Sequence, residues 1–221
     1  MTPEEYSRAI VSIPKDTLSQ LPAAEYSGRI VVVDTVQGVE EAVKALKKAD
    51  VLGFDTETRP SFKRGLLYKV ALIQLATPDC CYLFRTNKIG YPRELIELLE
   101  DPEITKVGLS IHDDFHNLRR VTEIEPQGFI DLQSYVKEFK IADASLSRVY
   151  GILFNERISK SQRLSNWESA ELTKPQQAYA ALDAYACIRI LKYLQSGDFK
   201  PAESPYLTLP PLPEENPDNL E

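Results

Sequence analysis

The sequence predicts an α/β domain in which a mixed central β-sheet is flanked by α-helices. Three observations predict it. Short β-branched and apolar runs bounded by turn residues crowd the first half of the chain. Helical periodicity dominates the second half. Three of the apolar segments carry carboxylates where simple core packing would not put them. The length of 221 residues suits one such domain and is short for two. With 43% hydrophobic residues, the chain can pack a core.

Residues 1–28 are polar and punctuated by proline, with a weak helical pattern between Thr2 and Val11; a loosely packed extension is expected. Ile30 to Val33 is a β-branched run and predicts a strand. Val39, Ala42, Val43 and Leu46 have helical spacing. Val51 to Glu57, VLGFDTE, reads as a strand ending in acid, and Lys69 to Leu75, KVALIQL, as a buried strand. Pro78 and Asp79 mark the turn into a further strand, Cys81 to Phe84. Arg93 to Leu99 is amphipathic, Lys106 to Leu109 is a short strand, and Asp113 to Val121 is helical. Phe129 to Leu132 can end a strand before a helix through Phe139, and Ser145 to Tyr150 begins another helix. Thr173, Pro175 and Gln176 form a strong helix start, with Thr173 as N-cap and Gln176 closing a capping box. That helix should run to Gln195. The folded domain is therefore expected over 29–196, and residues 197–221 read as a Pro-rich acidic tail, disordered or draped on the surface.

The net charge of −7 argues against a protein that coats nucleic acid by bulk electrostatics. It leaves room for an enzyme that grips a chain end, because bound divalent cations invert the local charge. Cys80, Cys81 and Cys187 make neither a zinc pattern nor a disulfide framework, so a reducing, cytoplasmic setting is expected. The N-terminus, MTPEEYSRAI, lacks the apolar region of a secretory signal, and no apolar run is long enough to span a membrane.

Asp55 and Glu57 close the strand VLGFDTE. Residues i and i+2 of a strand share a face, so both carboxylates project together. Two such charges repel, and a hard divalent cation is the natural compensation. Acids that simply end a strand are the plainer reading. Asp183 lies in YAALDAYACIRIL, apolar on most sides, with no basic residue one turn away. Tyr179 precedes it by one turn, so either the pair orients a water or it forms a phenol–carboxylate contact at the core edge. Asp114 follows the short strand in VGLSIHDDFHNL, where helix capping is the alternative.

In combination and order, these segments resemble the DEDDy-type 3′-5′ exonucleases, a ribonuclease D-like family. VLGFDTE, VGLSIHDDFHNL and YAALDAYA carry the resemblance, with SNWE and LTKPQQ between the last two, and it covers about residues 30 to 195. It implies a ribonuclease H-like fold. It also implies that Asp55, Glu57, Asp114 and Asp183 hold two divalent cations, Mg²⁺ or Mn²⁺, roughly 4 Å apart. Tyr179 would aim the attacking water, and the product would be a nucleoside 5′-monophosphate. The histidine of the related DEDDh enzymes is replaced at its position by Ala178.

Around this set, Lys160 and Arg163 are candidates for phosphate contact and Trp167 for base stacking, although the size of a tryptophan favours the core. Thr56 would wall the site and His116 would lie near the terminal nucleotide. Lys63, Arg64 and Lys69 are further phosphate candidates, or plain solvated charges. The expected partner is nucleic acid, single-stranded or at a 3′ end, and a lone catalytic domain with an acidic surface is expected to need a protein partner for processivity. Two other readings are a catalytically silent nucleic-acid-binding or scaffold module on the same fold, and a small-molecule metallohydrolase. The full carboxylate set weighs against the first, and the lack of a histidine-rich ligand set against the second.

Overall fold

A computed structural model describes residues 1–63, 65 and 67–210. The chain opens with α1 (Pro3–Arg8), β1 (Ile10–Val11) and α2 (Lys15–Gln20). The central elements follow: β2 (Arg29–Val33), α3 (Val36–Leu46), β3 (Val51–Thr58), β4 (Val70–Ala76) and β5 (Cys80–Phe84). Next come α4 (Thr86–Ile89), α5 (Arg93–Glu100), β6 (Thr105–Gly108), α6 (Ile111–Arg119), β7 (Phe129–Asp131) and α7 (Leu132–Tyr135). The chain continues through α8 (Leu146–Phe154) and α9 (Lys174–Gln195) to β8 (Leu207–Thr208). Among the described residues, no helix is long and apolar enough to cross a membrane.

The main sheet has six strands in the order β2-β5-β4-β3-β6-β7. β3, β4 and β5 form an antiparallel meander, while β2 joins β5, and β6 and β7 extend from β3, in parallel. The sheet is mixed, as expected. Every residue of β4 is buried, which explains why its run shows no polar alternation. One face packs against α3, α5 and α6 through Phe54, Leu75 and Phe84 with Val39, Leu46, Leu98 and Leu118. The other packs against α8 and α9 through Leu72, Ala76 and Leu83 with Ala184, Ile188 and Leu191. α9 starts as its sequence signals predict: Thr173 caps it, Gln176 completes the capping box, and a proline occupies the first turn.

Two expectations need correction. The N-terminal segment is not loosely packed: Val11 and Ile13 are fully buried, and burying one such side chain contributes about 1.5–3 kcal/mol. The Val11 amide donates to the Lys140 carbonyl at 2.8 Å, and Ala142 donates back to Val11 at 3.1 Å. The start of the tail is also docked. β8 pairs antiparallel with β1, and Phe199 is buried. Residues 211–221 of that expected tail lie outside the described residues, as does Arg64. A smaller difference concerns α6, which begins at Ile111 because Ser110 takes a left-handed conformation (φ 63°) and caps it without a side-chain bond.

Candidate active site

β3 supplies the first two carboxylates. Its alternation sends Phe54 and Thr56 towards α6, and Gly53, Asp55 and Glu57 towards α9. The approach of α9 is very close at Gly53, where an added Cβ would lie 1.9 Å from the Ala184 carbonyl oxygen. Only glycine permits this contact. It seats the preceding residue, Asp183, over the end of β3. As a result, one carboxylate oxygen from each of Asp55, Glu57 and Asp183 lies within 4.8 Å of the others.

Asp114 comes from the opposite face. α6 carries it to the edge of β3, where the Thr56 hydroxyl donates to its Oδ1. It is outside the tight trio but near enough for its charge to act on Asp55 and Glu57. Thr56, expected to wall the site, lies at its edge and gives its hydroxyl to Asp114.

The electrostatics of the cluster follow from crowding. Burial, and then the charges of Asp183, Asp114 and Glu57, push the Asp55 carboxyl well above the usual carboxylate range. Burial and the charges of Asp183 and Asp114 raise Glu57 to about 9, against a downward pull from Arg163. Burial raises Asp183 to about 7, opposed by the Tyr179 hydroxyl and Lys160. Burial raises Asp114 to about 6, opposed by the Thr56 hydroxyl. Without a counter-charge the cluster therefore takes up protons. The Asp183 Oδ1 is buried and has no hydrogen-bond partner among the described residues. An all-oxygen cage of this size with an orphan acceptor fits a hard divalent cation.

Tyr179 stands one turn before Asp183 on α9, half-buried, with its phenol pushed up by burial and by the charges of Asp183 and Glu57. Trp167 lies behind it, ring centroids 6.1 Å apart, and is fully buried. Base stacking by Trp167 is therefore corrected: with no exposed face it cannot meet a nucleotide, and it buttresses Tyr179 from the core. His116, expected near the terminal nucleotide, is exposed and stands two residues past Asp114, roughly 200° round the helix from it. Lys160 and Arg163 are exposed, yet their charges reach Asp183 and Glu57 respectively. Lys63 and Lys69 are solvent-exposed. A cavity of about 280 Å³ opens beside Tyr179, lined also by Ser159, Ser161, Leu182 and Tyr26 of the N-terminal segment.

Several supporting residues escaped the sequence reading. Gln176 does more than cap: its Nε2 donates to the Ser165 hydroxyl at 3.0 Å and the Asn166 carbonyl at 3.2 Å, tying the loop with Lys160 and Arg163 to α9. Arg85, buried at the end of β5, donates to the carbonyls of Ser169 and Ala170 further along that loop. Gly53 did carry a signal, since an isolated glycine within a strand marks close backbone approach.

Comparison with known proteins agrees with this geometry. Residues 30–197 match the family described as 3′-5′ exonuclease. The chain is 35% identical over 184 residues to the mouse bifunctional 3′-5′ exonuclease/ATP-dependent helicase WRN, covering 79% of this chain and 13% of that protein. It is 32% identical over 192 residues to a 3′-5′ exonuclease of Arabidopsis thaliana, covering 79% of this chain and 66% of that protein. In three dimensions it resembles the EXO domain of Aedes aegypti Nibbler, with a TM-score of 0.71 at 22% identity, covering 82% of this chain and 97% of that one. RNase D of Escherichia coli gives a TM-score of 0.67 at 23% identity, covering 77% and 44% of the two chains. The fold is thus ribonuclease H-like, with an acidic site at the end of its central strand. The chain belongs to the 3′-5′ exonuclease family.

Proposed function

We propose that this chain is a divalent-cation-dependent 3′-5′ exonuclease that hydrolyses nucleic-acid phosphodiesters from the 3′ end and releases nucleoside 5′-monophosphates. The observation that carries the reading is the meeting of Asp55, Glu57 and Asp183 within 4.8 Å, on a chain of this family. Asp114, held by Thr56 at the edge of the trio, completes the set for two ions, Mg²⁺ or Mn²⁺. When bound, such ions lower the pKa of water and offset negative charge on a phosphate.

The chain's own residues do the rest. Asp55, Glu57, Asp114 and Asp183 bind and space the ions. Tyr179, braced by Trp167, orients the attacking water by a hydrogen bond from its hydroxyl. Lys160 and Arg163 hold the backbone phosphates, and their exposure beside the acids supports that role.

Nucleic acid is the proposed partner, a reading supported by a related structure, Trypanosoma brucei RNase D in complex with RNA U12. The catalytic unit spans 29–196, with the docked N-terminal segment forming part of one cavity wall. A protein partner supplies processivity, in keeping with the net charge of −7. A cytoplasmic setting accords with the free thiols Cys80, Cys81 and Cys187.

The test is a time course on 5′-labelled single-stranded DNA, single-stranded RNA and recessed duplex, with Mg²⁺, Mn²⁺ or chelator. Stepwise shortening from the 3′ end, with nucleoside 5′-monophosphate released only when metal is present, is expected. No shortening of any substrate in either metal would refute the proposal.

A further inference from the structure

Gln74 lies in the middle of β4 and is fully buried. Neither its Nε2 nor its Oε1 has a hydrogen-bond partner among the described residues. Leaving a buried polar group unpaired costs roughly 1–3 kcal/mol by mutational measures. A glutamine inside the otherwise apolar run VALIQLA therefore calls for an explanation.

The sheet register supplies one. Gln74 stands directly opposite Asp55 in the antiparallel β3–β4 pair. Opposed residues share a face, with Cβ atoms about 4.5–5.5 Å apart. Leu72 and Ala76, two residues to either side, belong to the cluster under α9, as does Leu83, opposite Gln74 on β5. Its neighbour on one side is thus an aliphatic side chain, and on the other the Asp55 carboxylate. A glutamine side chain spans such a gap.

We infer that Gln74 is a positioning residue for the cation centre, donating from its amide N–H to the Asp55 carboxylate when a cation is held and so fixing which oxygen Asp55 turns to the ion. The inference rests on the proposed cation site. A carboxylate that gives one oxygen to a cation keeps lone pairs on the other for a donor. Bonds from an amide to a full carboxylate are shorter and about twice as strong as neutral ones. Groups that hold a metal ligand in this way set its orientation, and their loss weakens metal affinity or activity by roughly 10- to 100-fold.

The test measures Mn²⁺ binding to the full chain by titration calorimetry, together with thermal unfolding of the metal-free protein. Gln74→Met keeps the volume and removes the amide. Gln74→Asn keeps the amide and shortens its reach by one methylene. For Gln74→Met, the metal-free melting temperature should equal or exceed that of the parent, because an unpaired polar group has gone. Mn²⁺ affinity should fall roughly 10- to 100-fold in both variants. Affinity equal to that of the parent in both would overturn the inference. If Gln74→Met fails to fold, Gln74→Asn decides alone, weaker Mn²⁺ binding upholding the positioning role and unchanged binding overturning it. A parent protein that binds no Mn²⁺ removes the cation site itself, and the inference with it. That failure is distinct from one seen only in the variants.

Discussion

A methyl group added at Gly53 would lie 1.9 Å from the Ala184 carbonyl oxygen, 2.7 Å from its carbon and 3.0 Å from Ile188 Cγ1. The first two are backbone atoms of α9, so no side-chain rotation relieves the clash. Against a floor of about 3 Å for such contacts, α9 must retreat by about 1 Å at this point. Overpacking of this kind costs about 1–3 kcal/mol. For a chain of this size each kcal/mol lowers the melting temperature by about 2–4 °C. The functional cost should be larger. Asp183 precedes Ala184 and moves with it, opening a trio whose oxygens now lie within 4.8 Å. A misplacement of about 1 Å can cost 10²-fold in rate. Gly53→Ala should therefore fold, melt several degrees lower and turn over about a hundredfold more slowly in Mn²⁺. The assays are calorimetric melting and release of 5′-mononucleotide at saturating metal. Parent-like turnover in a protein with a lowered melting point would refute the claim that the β3–α9 approach sets the spacing of the acids. An unchanged melting point would refute the steric argument itself.

Asp183→Asn should abolish hydrolysis while raising the metal-free melting temperature by about 2–4 °C, since it removes one of several crowded buried charges; nuclease assay and calorimetry on the same sample check both. Tyr179→Phe should slow turnover roughly 10- to 100-fold with Mn²⁺ affinity retained, and full activity would end the water-orienting role. Lys106 is buried, donates to the Asp101 carbonyl at 2.5 Å and lies 5.1 Å from the centre of the Phe129 ring. Burial lowers its pKa from the ordinary 10.5 to about 8, so between those values the unfolded chain holds the proton more often than the folded one. Its contribution to stability therefore rises with pH across that window, by about 3 kcal/mol at most. In urea unfolding, the change in stability from pH 7.5 to pH 10 should be less favourable in Lys106→Met than in the parent by up to that amount, because deprotonation of the raised acids such as Glu57 lowers stability equally in both proteins.

The parts of the fold most legible in the sequence are those that local chemistry determines. The capping box at Thr173 and Gln176 placed the start of α9, and the strand VLGFDTE placed two acids on one face. Asp183 betrayed itself as a carboxylate in an apolar helix with no local counter-charge. What depends on pairing between distant segments was not legible. β1 and β8 are two residues each, too short for any periodicity, and they meet from opposite ends of the described chain. Trp167 offered two readings because a tryptophan suits both a core and a stacking platform, and only its burial separates them. The role of Gln74 needed the β3–β4 register, which places it opposite Asp55 and is not written in either strand alone. The geometry of Asp114 depended on Ser110 turning left-handed to start α6 early, a backbone choice that serine does not announce.

The β1–β8 pairing works as a clasp, joining the first strand of the chain to the last one described. Trimming to the motif-bearing stretch alone would remove both halves of that clasp. It would also uncover the side of α8 where Gly151 now receives Ile13 and Leu18. Tags or fusion partners joined just outside β1 and β8 would emerge side by side, so a load at either end pulls on the same pair of strands.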